Sequence, residues 1–320
     1  MSKTTLRLGL SSVLCGLVAC GGGGGDGSGN IQPAASLADI DSVSGPVIAE
    51  AVASSMLISE TLSGLSALAV PQTAQATIGY SPDNSLLPPV AAATIGPEMI
   101  DCDGGGMATF SGNLANTQTL TAGDTMTFAY TDCNDGLGTV IDGTLSVTIG
   151  TMTGDPDLGT FSLALTMNLQ NFQISSDGNV ASLHGDISFA FDATDQQSIT
   201  MSVSSGMLAA SAGNQSVTLS NYSVTFTIDP LLASMQLETE GTLAGSEFSG
   251  AVTYSTTQPI AMNAADTPVS GQMVVEGAGG ATITINIVSA AQVDVEFDYD
   301  GNGTVDEVVM TTWEELNSGA

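Results

Sequence analysis

From about Met107 onward, apolar side chains recur at every second position. Leu145, Val147 and Ile149 alternate with Thr and Ser, and Phe161, Leu163, Leu165, Met167 and Leu169 carry the pattern further. Ile187, Phe189 and Phe191 repeat it, as do Tyr222, Val224, Phe226 and Ile228, and finally Ile283, Ile285 and Ile287. A period of two places one side of a strand in a core and the other in water, which is the habit of antiparallel sheets. Thr and Ser hold the outward positions, where β-branched and small hydroxyl side chains suit a pleated surface without charge. Turn signals at Asp177-Gly178-Asn179, Ala212-Gly213-Asn214 and Gly277 to Gly280 separate the runs. Gly143, Gly185, Gly241, Gly250 and Gly271 each precede an alternating run and are read as strand starts. The pattern therefore predicts a mainly β fold, a large antiparallel meander of ten or more strands. A sheet of that size folds into a sandwich or curves and closes into a barrel.

Two runs break their own period. Met167-Asn168-Leu169-Gln170-Asn171-Phe172-Gln173-Ile174 aligns with Val217-Thr218-Leu219-Ser220-Asn221-Tyr222-Ser223-Val224, fifty residues later. In both, the apolar positions step by three before an aromatic residue, Leu169 to Phe172 and Leu219 to Tyr222. One inserted residue keeps both halves of a strand on the same face only if the strand bulges there. Bulges or bends are predicted at Gln170-Asn171 and Ser220-Asn221, where they would pass a strand between sheets or curve one sheet.

Before the strands, Pro46 to Ala69 is the one helical stretch. Ser44 or Gly45 is placed to cap it, and Pro46 suits a first turn. Ile48, Val52 and Met56, then Ile58, Leu62, Leu65 and Ala69, recur at helical spacing. Pro71 to Pro97 holds several prolines and no period, and reads as a linker or strap. Gly21 to about Ser36 is a Gly/Ser/Ala/Pro tether, spanning about 20–25 Å on average as a flexible coil. The expected divisions are a signal at 1–19, a tether at 20–36, a helix and linker at 37–98 and the β region at 99–320.

The first twenty residues have the three parts of an export signal: Lys3 and Arg7, a short apolar run from Leu8 to Val18, and small Ala19 before Cys20. Leu17-Val18-Ala19-Cys20 resembles a lipobox, and the Gly21 to Gly25 run is the kind of tether that follows lipidated cysteines. The resemblance implies cleavage before Cys20 and lipidation of its sulfur, with two or more acyl chains for stable anchoring. Gly21, rather than aspartate, follows the cysteine; by resemblance to enterobacterial sorting this implies the outer membrane, on its periplasmic or surface face. Lys3 and Arg7 are the chain's only Lys and Arg, against 33 acidic residues. Cleavage would leave a body in which no carboxylate has an intrachain Lys or Arg partner. Each must be hydrated, hydrogen-bonded, or bound to a cation. Nucleic acid is excluded as a partner by the lack of cationic side chains, and divalent cations are the expected counter-charges.

Cys102 and Cys133, an even pair in an exported chain, are read as a disulfide closing a loop of about thirty residues, worth about 3–4 kcal/mol in the chain-entropy model. Near the C-terminus, Asp298-Tyr299-Asp300-Gly301-Asn302-Gly303-Thr304-Val305-Asp306 resembles the first nine positions of an EF-hand-type calcium loop. The resemblance implies side-chain ligands from Asp298, Asp300 and Asn302, the Thr304 carbonyl, and Asp306 directly or through water. Val309 stands where a bidentate Glu is expected, with Glu307 as the substitute, so affinity is expected to be weak, about 10⁻⁴–10⁻³ M. Asp101, Asp103, Asp132 and Asp135 would be gathered by the disulfide and form a second acidic group.

Enzyme signatures are scarce. His184 is the single histidine, with no nucleophile-elbow pattern nearby. A carboxylate pair could hydrolyse glycosides, but 5% aromatic content with one tryptophan argues against a sugar-stacking cleft. The lipobox with its Gly run, the Cys102/Cys133 pair and the calcium-like loop followed by Thr311-Thr312-Trp313 together resemble acidic, β-rich lipoproteins of Gram-negative bacteria. That resemblance implies no particular activity. The expected function is a non-catalytic, lipid-anchored envelope protein, structural or adhesive and calcium-stabilised, with an unknown protein partner. The alternatives are a carrier holding an apolar ligand or lipid inside a barrel or cup, and a hydrolase using paired carboxylates.

Overall fold

In the computed structural model, residues 36–55, 93–115, 120–155, 160–176, 179–195, 198–213, 215–231, 234–263 and 267–318 are described. Cys20 and the tether lie outside them, as does the helical stretch beyond residue 55. The alternating pattern becomes fourteen strands. They are β1 (Ala93–Asp101), β2 (Met107–Leu114), β3 (Thr125–Asn134), β4 (Val140–Asp155), β5 (Thr160–Ser176), β6 (Asn179–Asp195) and β7 (Ser198–Ala212). The second half comprises β8 (Gln215–Asp229), β9 (Ser234–Gly245), β10 (Ala251–Met262), β11 (Pro268–Glu276), β12 (Thr282–Ser289), β13 (Gln292–Asp298) and β14 (Glu307–Thr311). They form one sheet in chain order, every neighbour antiparallel. β1 and β14 are its two ends and do not pair with each other, so the sheet is open rather than a closed barrel. β1 reaches back into the proline-bearing stretch, and Pro97 sits in the register shift between Ile95 and Glu98. An edge strand and a shifted register are the two places a sheet tolerates a residue with no N–H.

One face of this sheet is apolar. Phe128, Leu145, Met167, Ile187, Val203, Val224, Val275, Ile285 and Val295 are each at most 2% exposed and belong to a single contiguous core. A sheet with one apolar face must cover it. Among the described residues, helix α1 (44–55) lies on that face, and the buried side chains of β2 to β13 join in one cluster, as they do where a sheet curves over its own apolar face.

The curvature has a residue-level origin. Both expected bulges are present. The β5–β6 register shifts between Leu169 and Phe172, with Asn171 at φ 48°; the β8–β9 register shifts between Ser220 and Ser223, with Asn221 at φ 50°. Leu169 and Phe172 are therefore both buried, as are Leu219 and Tyr222. A third bulge, between Tyr130 and Cys133, has Asp132 at φ 49°. Asn and Asp are the non-glycine residues best suited to this left-handed region.

The glycines read as strand starts mostly lie elsewhere. Gly143, Gly185, Gly241 and Gly271 fall inside β4, β6, β9 and β11, and only Gly250 immediately precedes a strand. Their role is close approach. A Cβ on Gly143 would lie 2.2 Å from the Asn171 carbonyl oxygen, and one on Gly185 would lie 2.2 Å from that of Met207. Register shifts at Asp142/Thr144 and Gly185/Ser188 continue the line, so a crease of bulges crosses the sheet from β3 to β7 and, past the unshifted β7–β8 pair, resumes between β8 and β9. Each bulge adds local twist and bends its strand, and aligned bulges bend the sheet.

α1 packs Ile48, Ala49, Val52 and Ala53 into the core. Its cap is Asp41, not Ser44 or Gly45. The Asp41 carboxylate accepts from the backbone N–H groups of Val43 and Ser44 (2.9 and 2.8 Å), and the Ser44 hydroxyl accepts from the Asp41 N–H. This is a reciprocal capping pair, and these donors hold the Asp41 carboxyl below its ordinary pKa, the Ser44 N–H contributing most. Residues 36–38 strap across two strand ends: the Ala38 N–H donates to Ala251, and Ala278 donates to Ala38, both at 2.7 Å. A second, short helix, α2 (Trp313–Ser318), follows β14 and buries Leu316.

Candidate metal centre and acidic surface

The calcium-like sequence is the connection between β13 and β14. It does not sit between helices, since Val295 and Val309 are directly paired across the two strands. The chain turns because Gly301 and Gly303 take φ 69° and 81°. Asp298, at the end of β13, is buried, and its two carboxylate oxygens accept from three backbone N–H groups: Gly301 (2.9 Å), Asn302 (3.2 Å) and Gly303 (2.7 Å). These bonds wrap the loop around one carboxylate. Asp300 and Asp306 are exposed, and each brings an oxygen within 4.8 Å of the other two aspartates. The Asn302 side chain donates to Asp300 (2.8 Å) and accepts from the Thr304 N–H (2.8 Å). Asp306 accepts from the Tyr299 N–H at 2.8 Å.

Three carboxylates this close repel one another. No Lys or Arg occurs among the described residues to relieve them. The donor set is all oxygen, the chemistry of a hard divalent cation. Glu307 points elsewhere: its carboxylate accepts from the Tyr299 hydroxyl at 2.7 Å. The Tyr299 phenol is pushed up to about 12, by desolvation first and then by Glu307. Tyr299 is the residue that sequence reasoning missed here. It lies at an x position of the motif, and its pairing with Glu307 follows from the hairpin that sets β13 beside β14.

Cys102 and Cys133 stand at disulfide distance, Cα–Cα 5.4 Å. The pair does not gather Asp101, Asp103, Asp132 and Asp135 into a metal-sized group; among the described residues that group is Asp298, Asp300 and Asp306 alone. Asp135 instead accepts from the Leu137 and Thr139 N–H groups (2.7 and 3.0 Å). Asp124, 1% exposed, accepts from the N–H groups of Ala115 (2.6 Å) and Thr121 (2.7 Å), closing the turn before β3. In place of cationic side chains, several carboxylates thus take backbone N–H groups. His184 is exposed on β6, opposite Ala209. No helix among the described residues is long and apolar enough to cross a membrane. No protein-family model matches the chain, and no curated protein matches it significantly.

Proposed function

We propose that this is a non-catalytic, lipid-anchored envelope protein, structural or adhesive, whose β13–β14 loop binds calcium. The observation that supports the structural reading over a carrier is the inner face of the sheet. Apolar side chains from β2 to β13 and from α1 meet in one contiguous core, and the largest of them are fully buried. A core built of the protein's own side chains favours a structural role over a carrier, which needs an apolar cavity. Anchorage rests on Cys20 and its lipobox, and solubility on a surface of carboxylates without Lys or Arg partners.

Asp298, Asp300, Asn302, Asp306 and the Thr304 carbonyl would hold the ion, and the ion would supply the positive charge that this region of the chain lacks. Asp298 is already oriented by its three backbone donors, so part of the ordering cost is met before the ion arrives. With Glu307 bonded to Tyr299, affinity falls in the weak extracellular range, about 10⁻⁴–10⁻³ M. At about 10 mM calcium such a site adds about 1.4–2.7 kcal/mol, which scanning calorimetry reads as a rise of a few degrees. An unchanged melting temperature with calcium and with chelator would reject the calcium reading. Organic extraction of the purified protein should release no apolar molecule, because the acyl chains of Cys20 are covalently bound and stay with the chain. One apolar molecule per chain would overturn the structural reading in favour of a carrier.

A further inference from the structure

The open sheet has two free edges, and they differ. β1 is guarded: Pro97 sits in its register shift, and Glu98 and Asp101 put charge along it. Proline, irregular register and charge are devices that keep an edge strand from pairing with another chain. β14 has no proline and no shift; its pairing with β13 runs unbroken from Glu307 to Thr311. Among the described residues β13 is its only ladder partner, so the other side of the β14 backbone is left out of the sheet. Its three middle residues are apolar and exposed: Val308 is 50% exposed, Val309 39% and Met310 73%. Val309 continues the inner face beside Val295, while Val308 and Met310 lie on the outer face beside Glu296 and Asp294.

Carboxylates stand at both ends of this apolar centre. Asp306 and Glu307 are exposed at its start, and Glu314 and Glu315 at its end, where the Glu315 carboxylate accepts from the Thr312 N–H at 3.0 Å. The described residues hold no Lys or Arg to answer them. A second copy of this chain is therefore a poor occupant. Antiparallel pairing about a two-fold axis at Val309 would set Glu307 of each copy opposite Thr311 of the other, and would bring Asp306 and Glu307 toward Glu315. Like charges brought together across strands are destabilising. The complement of this edge is a strand with apolar side chains at its centre and basic ones at its ends.

We propose that β14 is a docking edge that accepts, as an additional strand, an extended segment of a partner protein with an apolar centre and Lys or Arg at both ends. Main-chain hydrogen bonds to β14 give the affinity, and Val308, Val309, Met310 and the flanking carboxylates give the selectivity. Five residues make a short ladder, so the charges at its ends carry part of the binding, and added salt weakens it. The proposal goes beyond the structural or adhesive reading and depends on neither anchorage nor calcium.

The test is titration of the full chain, in detergent micelles with chelator present, against the fluorescein-labelled peptide Lys-Thr-Val-Ile-Val-Thr-Lys. Anisotropy is read at about 0.15 M salt, where charges beyond about 8 Å are screened, and corrected for micelles alone. Saturable one-to-one binding is expected. A counterpart with Glu at both ends should not bind, nor should one N-methylated at its three central residues, which keeps the side chains and loses the N–H donors. Bound peptide should slow amide hydrogen exchange over residues 307–311 and not over 93–101. Met310→Lys removes an apolar contact and adds a like charge, and should weaken binding at least about tenfold. Met99→Lys makes the same change on β1, at a side chain that is 75% exposed, and should leave binding unchanged. Both positions are exposed, so neither variant should alter the circular dichroism. Equal weakening in the two variants, equal binding of the N-methylated peptide, or no saturable binding would each overturn the proposal. So would a dimer in sedimentation that Met310→Lys dissolves, because a second copy would then be the occupant.

Discussion

Gly143→Ala tests whether the crease holds the sheet in shape. Gly143 has φ 102°, a conformation that a side chain makes costly, about 1–3 kcal/mol. Its Cβ would also meet three backbone atoms of β5: the Asn171 carbonyl oxygen at 2.2 Å, the Asn171 carbonyl carbon at 2.6 Å and Phe172 Cα at 2.7 Å. No side chain can swing aside, so β4 and β5 must separate at the bulge, and overpacking of this kind costs about 1–3 kcal/mol more. The sum, about 2–6 kcal/mol, is a large share of the 5–15 kcal/mol by which a native domain is stable. Gly123→Ala is the matched control. Its φ of 92° is similar, but nothing lies within 4 Å of its Cβ, so it carries the strain without the clash. Urea denaturation followed by far-ultraviolet circular dichroism should place the Gly143→Ala midpoint below that of Gly123→Ala, with an unchanged slope. Equal midpoints would refute the argument that close backbone approach at the crease is what requires glycine.

Three further expectations follow from the same geometry. Asn171→Val and Asn221→Val put a β-branched residue at φ near 50° and should each lower stability by about 1–2 kcal/mol, whereas Asn171→Gly should leave the urea midpoint nearly unchanged. Burial pushes the phenols of Tyr130 and Tyr254 up to about 12, above the ordinary value near 10. The fold therefore favours their neutral forms: that stability is complete below about pH 10 and is lost as pH rises toward about 12, and Tyr254→Phe should flatten the decline in urea midpoint over that window. Tyr299→Phe removes the hydroxyl that holds Glu307, so the carboxylate is free to turn to the aspartates; calorimetry should show tighter calcium binding, and an unchanged affinity would mean that Glu307 never joins the ion.

The bulges at Asn171 and Asn221 were legible because they are local events that leave a mark in the period. A strand with one buried face must step by three when it gains a residue, and Leu169 to Phe172 does so. The bulge at Asp132 left no such mark, because the residues after it near Cys133 are only half buried. The glycines were visible but misplaced. Gly143 and Gly185 look like strand starts because alternation resumes after them, yet what they serve is a carbonyl on the next strand, and sequence does not say which strand that is. The cap of α1 was missed for a related reason: Asp41 and Ser44 form a reciprocal pair in which the serine, the usual cap, stands three residues after the aspartate that caps.

The aspartate loop follows the same division. Its turn and its three convergent carboxylates are encoded within nine residues, since Gly301, Gly303 and the N–H groups that Asp298 accepts are all sequence neighbours. Only the pairing of β13 with β14 decided that Glu307 meets Tyr299 instead.

By itself, then, the amino-acid order determined the absence of lysine and arginine after Arg7, the antiparallel meander and two of its bends. Each depends on interactions within a few residues or on composition alone. The tertiary structure decided that the sheet stays open and that a crease aligns across its strands. These depend on which backbone lies beside which, set by packing one apolar face over fourteen strands, and no local period records it.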